Sequence, residues 1–224
     1  MSLRKYMVID LIMLGFVGAL LEGVGTNGGY FVLAGHTPTT IMSLMIMVLA
    51  ITRWNWIGLI LAPVLALGNY IGGLSIDGVE GYNQIFNIQY YISVVIGLLS
   101  TSIMLAFYKL IGRKKITGNN GALAGICLVV FILYELVRVA VYWIIGGRYI
   151  GVINASLYDL IGLIVLIVGS IIVNIQGSLV NVKEKLIEDN EERIARQKAQ
   201  MEALNLDDEN IDILVNDEPD SKRS

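Results

Sequence analysis

Cysteine and histidine are almost missing from this sequence: Cys127 is the single cysteine and His36 the single histidine in 224 residues. One cysteine excludes a disulfide framework and a cysteine metal site within the chain. His36 stands in Gly-His-Thr-Pro-Thr-Thr with no carboxylate spaced beside it, so no metal site is expected. Catalytic signatures are lacking too. There is no Gly-x-Ser-x-Gly elbow, no base placed to activate a serine, no acid pair of the aspartyl-protease kind and no phosphate loop. The residues therefore point to no enzyme, no catalytic residue and no cofactor. The last shortage is the most telling: long stretches carry almost no charge.

What fills those stretches is apolar. Hydrophobic residues make up 55% of the chain, and the mean hydropathy is +0.68. They come in blocks, which marks a membrane protein rather than a soluble domain. Six segments stand out: Tyr6–Gly23, Thr39–Ile51, Ile57–Leu74, Ile88–Ile111, Ala122–Ile145 and Asn154–Ile175. A spanning helix needs about twenty residues, so the second is short. The first has Arg4 and Lys5 in front of it like a signal peptide, but no small-residue cleavage site follows, and it reads as a retained helix. Runs such as Ile161–Val168 are apolar on both faces, which excludes a membrane barrel. The expected fold is all-α: a polytopic six-helix transmembrane bundle with a cytoplasmic helical and disordered tail.

Loop charge sets the expected orientation. Arg4 and Lys5, Arg53, then Lys109, Arg113, Lys114 and Lys115, and finally Lys183 and Lys185 alternate with connectors nearly free of base, Arg148 excepted. The positive-inside rule then puts both termini in the cytoplasm of a multi-pass cell-membrane protein. Trp54 and Trp56 fall at the inner interface and Trp143 near the outer one.

Polar residues within the apolar segments are the candidate site. Glu135, Arg138 and Tyr142 share one face of the fifth helix. Arg138 lies about 10 Å from that helix's outer end. Tyr158 and Asp159 enter from the same side, so Arg138 and Asp159 can pair across an antiparallel hairpin. Glu135 then needs a partner of its own, because charge in hydrocarbon is costly. Either the three groups satisfy one another, or they keep polar capacity for a ligand, and the sequence leaves both readings open. Asn69, Tyr70, Asn83, Tyr90, Tyr91 and, in the first outer connector, Tyr30 are further candidates for the wall of such a pocket. Asp10 reads as an interfacial or packing residue near the inner edge.

The outer connectors are rich in glycine. Glu22–Tyr30 holds four glycines and is poor helix material, reading as a turn or as a loop that lines a site. Thr37 or Thr39 can cap the second helix, with Pro38 early in it. The segment Gly72–Asn83 reads as a turn or a lid. In the first helix Gly15, Ala19 and Gly23 line one face at four-residue spacing, for packing inside the bundle or for docking another membrane protein. Three domains are expected: 1–178 in the membrane, an amphipathic cytoplasmic helix over 179–206, and an acidic disordered tail over 207–224. An acidic tail disfavours nucleic acid.

Together these features resemble the substrate-binding S component of energy-coupling-factor vitamin transporters. The likeness rests on Gly15, Ala19 and Gly23 in the first helix, on the run from Ile57 through Pro63 to Gly73, and on the segment Gly25–Thr40. It covers roughly residues 5–178, with glycine replacing an alanine of the family's docking motif. The resemblance implies capture of a small vitamin-like metabolite at the outer side. It also implies a separate transmembrane coupling protein and cytoplasmic ATPases as partners. The alternative is a non-transporting membrane adaptor or scaffold acting through its cytoplasmic tail.

Overall fold

A computed structural model of the chain describes residues 3–32, 40–75, 87–146, 158–176 and 191–200. The helices are α1 (Leu3–Val32), α2 (Ser43–Trp54), α3 (Ala62–Leu74), α4 (Ile88–Leu99), α5 (Ile103–Phe107), α6 (Arg113–Thr117), α7 (Asn120–Ile144) and α8 (Leu160–Ile175). A 3-10 segment, Asn55–Leu61, joins α2 to α3. A 3-10 turn (Ser100–Ser102) and a π-turn (Tyr108–Gly112) interrupt the run from α4 to α6. No strand occurs among the described residues. Among the described residues four stretches are long and apolar enough to cross a membrane: Arg4–Gly29, Ser43–Leu74, Ile88–Thr117 and Asn120–Ile144. Leu160–Ile175 is a shorter apolar helix. Large apolar side chains such as Phe16, Val24, Ile60, Leu136 and Ile164 face outward, as a bilayer solvent allows and water does not.

The stretch Ser43–Leu74 is not one straight rod. Asn55 has φ 54°, and a Cβ on Gly58 would lie 2.6 Å from the backbone of Ala50. In a continuous helix those positions would be about 12 Å apart, so the chain folds back at Asn55. Contacts with α1 confirm the reversal. Asp10 meets Arg53 and Glu22 meets Ile41–Ser43, which makes α2 antiparallel to α1. Gly15 faces Leu61 while Gly23 faces Gly68 and Gly72, which makes α3 parallel to it.

The glycine-rich segment Glu22–Tyr30 is helical, as part of α1, and not the connector its composition suggests. Each glycine costs a helix about 1 kcal/mol relative to alanine. Here that cost is offset by packing. A Cβ on Gly68 would come within 2.2 Å of the Ala19 carbonyl oxygen, and one on Gly72 within 2.5 Å of the Gly23 oxygen. The two backbones touch because these side chains are missing.

The remaining helices pair by antiparallel contact. Gln89 Nε2 donates to the Ile145 carbonyl at 3.1 Å, and Gly97 lies against Tyr134 and Arg138. Between α7 and α8, Arg138 meets Asp159 at one end and Asn174 donates to Asn120 at the other. The bundle therefore has two distinguishable ends. Tyr6 beside Trp54, Tyr108 bonded to Thr52, and Asn174 donating to the Thr117 carbonyl mark the end that carries Arg4, Lys5, Arg53 and the lysines of 109–115. Glu22, Thr40, Asn69, Tyr90, Arg138 and Asp159 gather at the other.

The chain divides into two compact units, Met1–Asn181 and Val182–Ser224. In the second, 191–200 is helical and Arg196 lies 3.4 Å from Glu192, one turn away. The predicted acidic segment over 207–224 lies outside the described residues.

Candidate binding site at the carboxylate end

The N-terminus of α2 organises this end. Four successive backbone N–H groups open it, and two buried carboxylates receive them. Asp159 Oδ1 accepts from Thr40 N at 3.1 Å. Glu22 Oε1 accepts from Ile41 N at 2.9 Å, and its Oε2 accepts from Met42 N and Ser43 N at 2.6 and 2.7 Å. Negative charge is favoured at a helix N-terminus, and orphan N–H groups need acceptors. The cap at this site is Met42, with no side-chain capping bond of its own. Glu22, from a different helix, serves in place of the threonine cap the sequence suggests. Thr37, Pro38 and Thr39 lie outside the described residues, as do His36, Asn83 and Arg148. Gly162 allows the approach of α8, since a Cβ there would meet the Thr40 oxygen at 2.3 Å.

A polar chain runs inward from Glu22. Asn69 Nδ2 donates to Thr26 Oγ1 at 2.9 Å and to Glu22 Oε1 at 3.4 Å. The Tyr90 hydroxyl donates to Asn69 Oδ1 at 2.8 Å. The Tyr90 ring stands edge-on to Tyr142, with centroids 6.5 Å apart. Beside it sits the ion triad. Arg138 Nη2 lies 2.6 Å from Glu135 Oε2 and 3.2 Å from Asp159 Oδ2, and the arginine and aspartate side chains have no exposure at all. The guanidinium also stands 5.8 Å from the Tyr134 ring centroid.

The structure thus unites Glu135, Arg138, Tyr142, Asp159, Asn69 and Tyr90. Tyr70 stacks near Tyr91 at 5.9 Å, and the Tyr91 hydroxyl donates to the Pro63 carbonyl at an exposed position, so neither extends the cluster. The Tyr30 backbone belongs to α1, and its side chain is not described. Glu135 finds its partner in Arg138, one turn away on its own helix. Yet the network keeps spare capacity. Glu135 Oε1, Thr40 Oγ1 and the Tyr134 hydroxyl are buried with no hydrogen-bond partner among the described residues. Among the described residues no group of three metal-ligating side chains occurs.

Sequence reasoning missed Glu22, Thr26, Thr40 and Tyr134. Glu22 carries a readable signal. It is four residues from Gly18 and from Thr26, on the same helical face, inside an apolar run. Gly15, Ala19 and Gly23 face α3, and a groove of about 750 Å³ runs alongside, lined by Phe16, Ala19, Gly23, Val64, Gly68 and Gly72 among others. Trp54 is buried and donates to Asp10 Oδ2 at 2.6 Å, so only Trp56 and Trp143 present exposed indoles of the kind found at membrane interfaces.

Comparison with protein-family models, with curated proteins and with solved structures gives no match. The fold and site define the class directly: a protein, helical throughout its described elements, whose long apolar helices suit a membrane and whose fully buried charges, Glu22, Arg138 and Asp159, collect at one end.

Proposed function

We propose that the protein is a membrane substrate-capture subunit that binds a small vitamin-like metabolite at the carboxylate end. In this reading the six apolar segments each span the bilayer, both termini are cytoplasmic, and the site opens outward. A separate transmembrane coupling protein and cytoplasmic ATPases energise uptake, and the chain itself catalyses nothing. One observation carries the reading. Buried polar side chains from α1, α3, α4 and α7, with Thr40 before α2 and Asp159 before α8, converge where 33–39, 76–86 and 147–157 attach, and among the described residues Glu135 Oε1, Thr40 Oγ1 and the Tyr134 hydroxyl have no partner. A network built only for packing would satisfy every member, because an unmet buried polar atom costs about 1–3 kcal/mol. The resemblance of Gly15, Ala19 and Gly23 on α1, and of the run Ile57–Gly73, to S components supports the same assignment.

The test is extraction of ligand. The protein purified in detergent is analysed by mass spectrometry for retained small molecules, beside Tyr134→Phe and Glu135→Gln. Tyr134→Phe is expected to lose retained ligand about tenfold while keeping its thermal stability, since removing an unpartnered hydroxyl leaves no bond broken within the protein. If no small molecule accompanies the wild type and the variants change only stability, the site is structural.

The second reading, a membrane adaptor acting through its tail, is favoured by a different observation. Arg138 is held by two carboxylates at once, so the most visible charge in the site is already countered.

A further inference from the structure

The other end of the bundle carries a feature the capture reading does not use. Lys109, Arg113, Lys114 and Lys115 fall within seven residues, and no acidic residue occurs from 81 to 134. Lys109, Lys114 and Lys115 are exposed, and none enters an ion pair among the described residues. The backbone here is irregular. The π-turn Tyr108–Gly112 widens the helix, and Gly112 at φ 96° breaks it. Beyond the break, Ile116 is fully buried and pins α6 to the bundle, leaving its lysines outside. Leu110 is 80% exposed and Ile111 45%, so cations and bare apolar side chains share one short segment. Its depth is fixed by the Tyr108 hydroxyl, 2.6 Å from Thr52 Oγ1, which sets the π-turn level with the end of α2. Trp56, 70% exposed just past that end, marks the same level as a membrane–water interface.

We propose that residues 109–115 form a binding site for an anionic phospholipid. The phosphate lies against Lys109, Lys114 and Lys115, and the acyl chains lie along Leu110 and Ile111. A lone cationic patch would attract any anion. Exposed leucine and isoleucine beside it select one whose charge is joined to hydrocarbon. Each lysine near an anionic bilayer surface adds about fivefold to binding, which three together turn into strong discrimination against zwitterionic lipid.

The full chain, delipidated in detergent, is titrated with phosphatidylglycerol or phosphatidylcholine and lipid-bound species are counted by native mass spectrometry. Wild type is expected to retain phosphatidylglycerol in clear preference. The triple variant K109Q/K114Q/K115Q is expected to lose that preference by about tenfold or more, whereas R4Q/K5Q, at the same end, keeps it. Leu110→Gln weakens lipid retention without altering the charge. Inorganic phosphate in excess leaves the lipid bound. The proposal is overturned if wild type binds both lipids equally, if the triple variant keeps its preference, or if phosphate alone displaces the lipid.

Discussion

The two ends of the bundle handle charge in opposite ways. At the carboxylate end, Glu22, Arg138 and Asp159 are wholly buried and Glu135 nearly so, each held by named partners. At the basic end one compact pair, Arg53 with Asp10 at 2.7 Å, is largely covered, and the lysines stand exposed. Helix α2 runs between them with acids at its N-terminus and Arg53 in its last turn, as the helix dipole favours at both ends. The comparison separates two uses of charge. Buried groups fix how α1, α2, α7 and α8 meet, while exposed ones address the surroundings.

Breaking the buried end has the largest expected effect. Arg138→Met leaves Glu135 and Asp159 facing each other without a cation, and removing one partner of a buried network costs about 3–5 kcal/mol. Thermal unfolding in detergent measures it. Pairing that change with Glu135→Leu is expected to recover a large part of the loss, because the charges were arranged for each other. Failure to recover any would mean the guanidinium acts mainly by packing on Tyr134. Glu22→Ala comes next, at about 2–4 kcal/mol, since three α2 N–H groups lose their acceptor. Glu22→Gln retains part of the geometry and is expected to cost less. Equal losses for the two variants would show that the carboxylate's charge contributes nothing at that helix terminus.

Next in size is the α1–α3 contact that joins the two ends. Gly68→Ala places a methyl group where the Ala19 oxygen already stands, and forcing the helices apart is expected to cost about 1–3 kcal/mol. Gly28→Ala is the control: a Cβ at Gly28 meets nothing within 4 Å among the described residues, so it should be neutral or slightly stabilising through helix propensity.

Much of this was legible in the chain before its structure. The apolar segments, the paired Arg138 and Asp159, and the shared face of Glu135, Arg138 and Tyr142 follow from spacing, because a helix maps sequence distance onto a face with little freedom. Glu22 was hidden for the opposite reason. Its neighbours Gly23, Gly25, Gly28 and Gly29 argue locally for a turn, and only the presence of Gly68 and Gly72 on another helix turns that poverty of side chains into an interface. Helix caps supplied from a distance are equally silent: nothing near Met42 announces that a carboxylate twenty residues earlier will receive its N–H. Local propensity is a weak prior wherever two backbones touch.

The smallest expected effect tests whether the basic end contributes anything to holding the bundle together. Asp10→Asn weakens its bonds to Arg53 Nη1 and the Trp54 indole at 2.7 and 2.6 Å, both to a charged acceptor, and is expected to cost about 1–2 kcal/mol. Lys114→Gln, at an exposed side chain, is expected to shift stability by less than about 0.5 kcal/mol. Both are read by thermal unfolding in detergent, with the fluorescence of a Trp56→Phe/Trp143→Phe background reporting the Trp54 environment. A gap between them sharpens the contrast, because the end then holds one structural acid–base pair within an otherwise outward-facing set of cations. If Asp10→Asn is as mild as Lys114→Gln, the basic end owes its order to Ile116, Tyr108 and the Asn174 bonds alone, and structural charge belongs entirely to the carboxylate end.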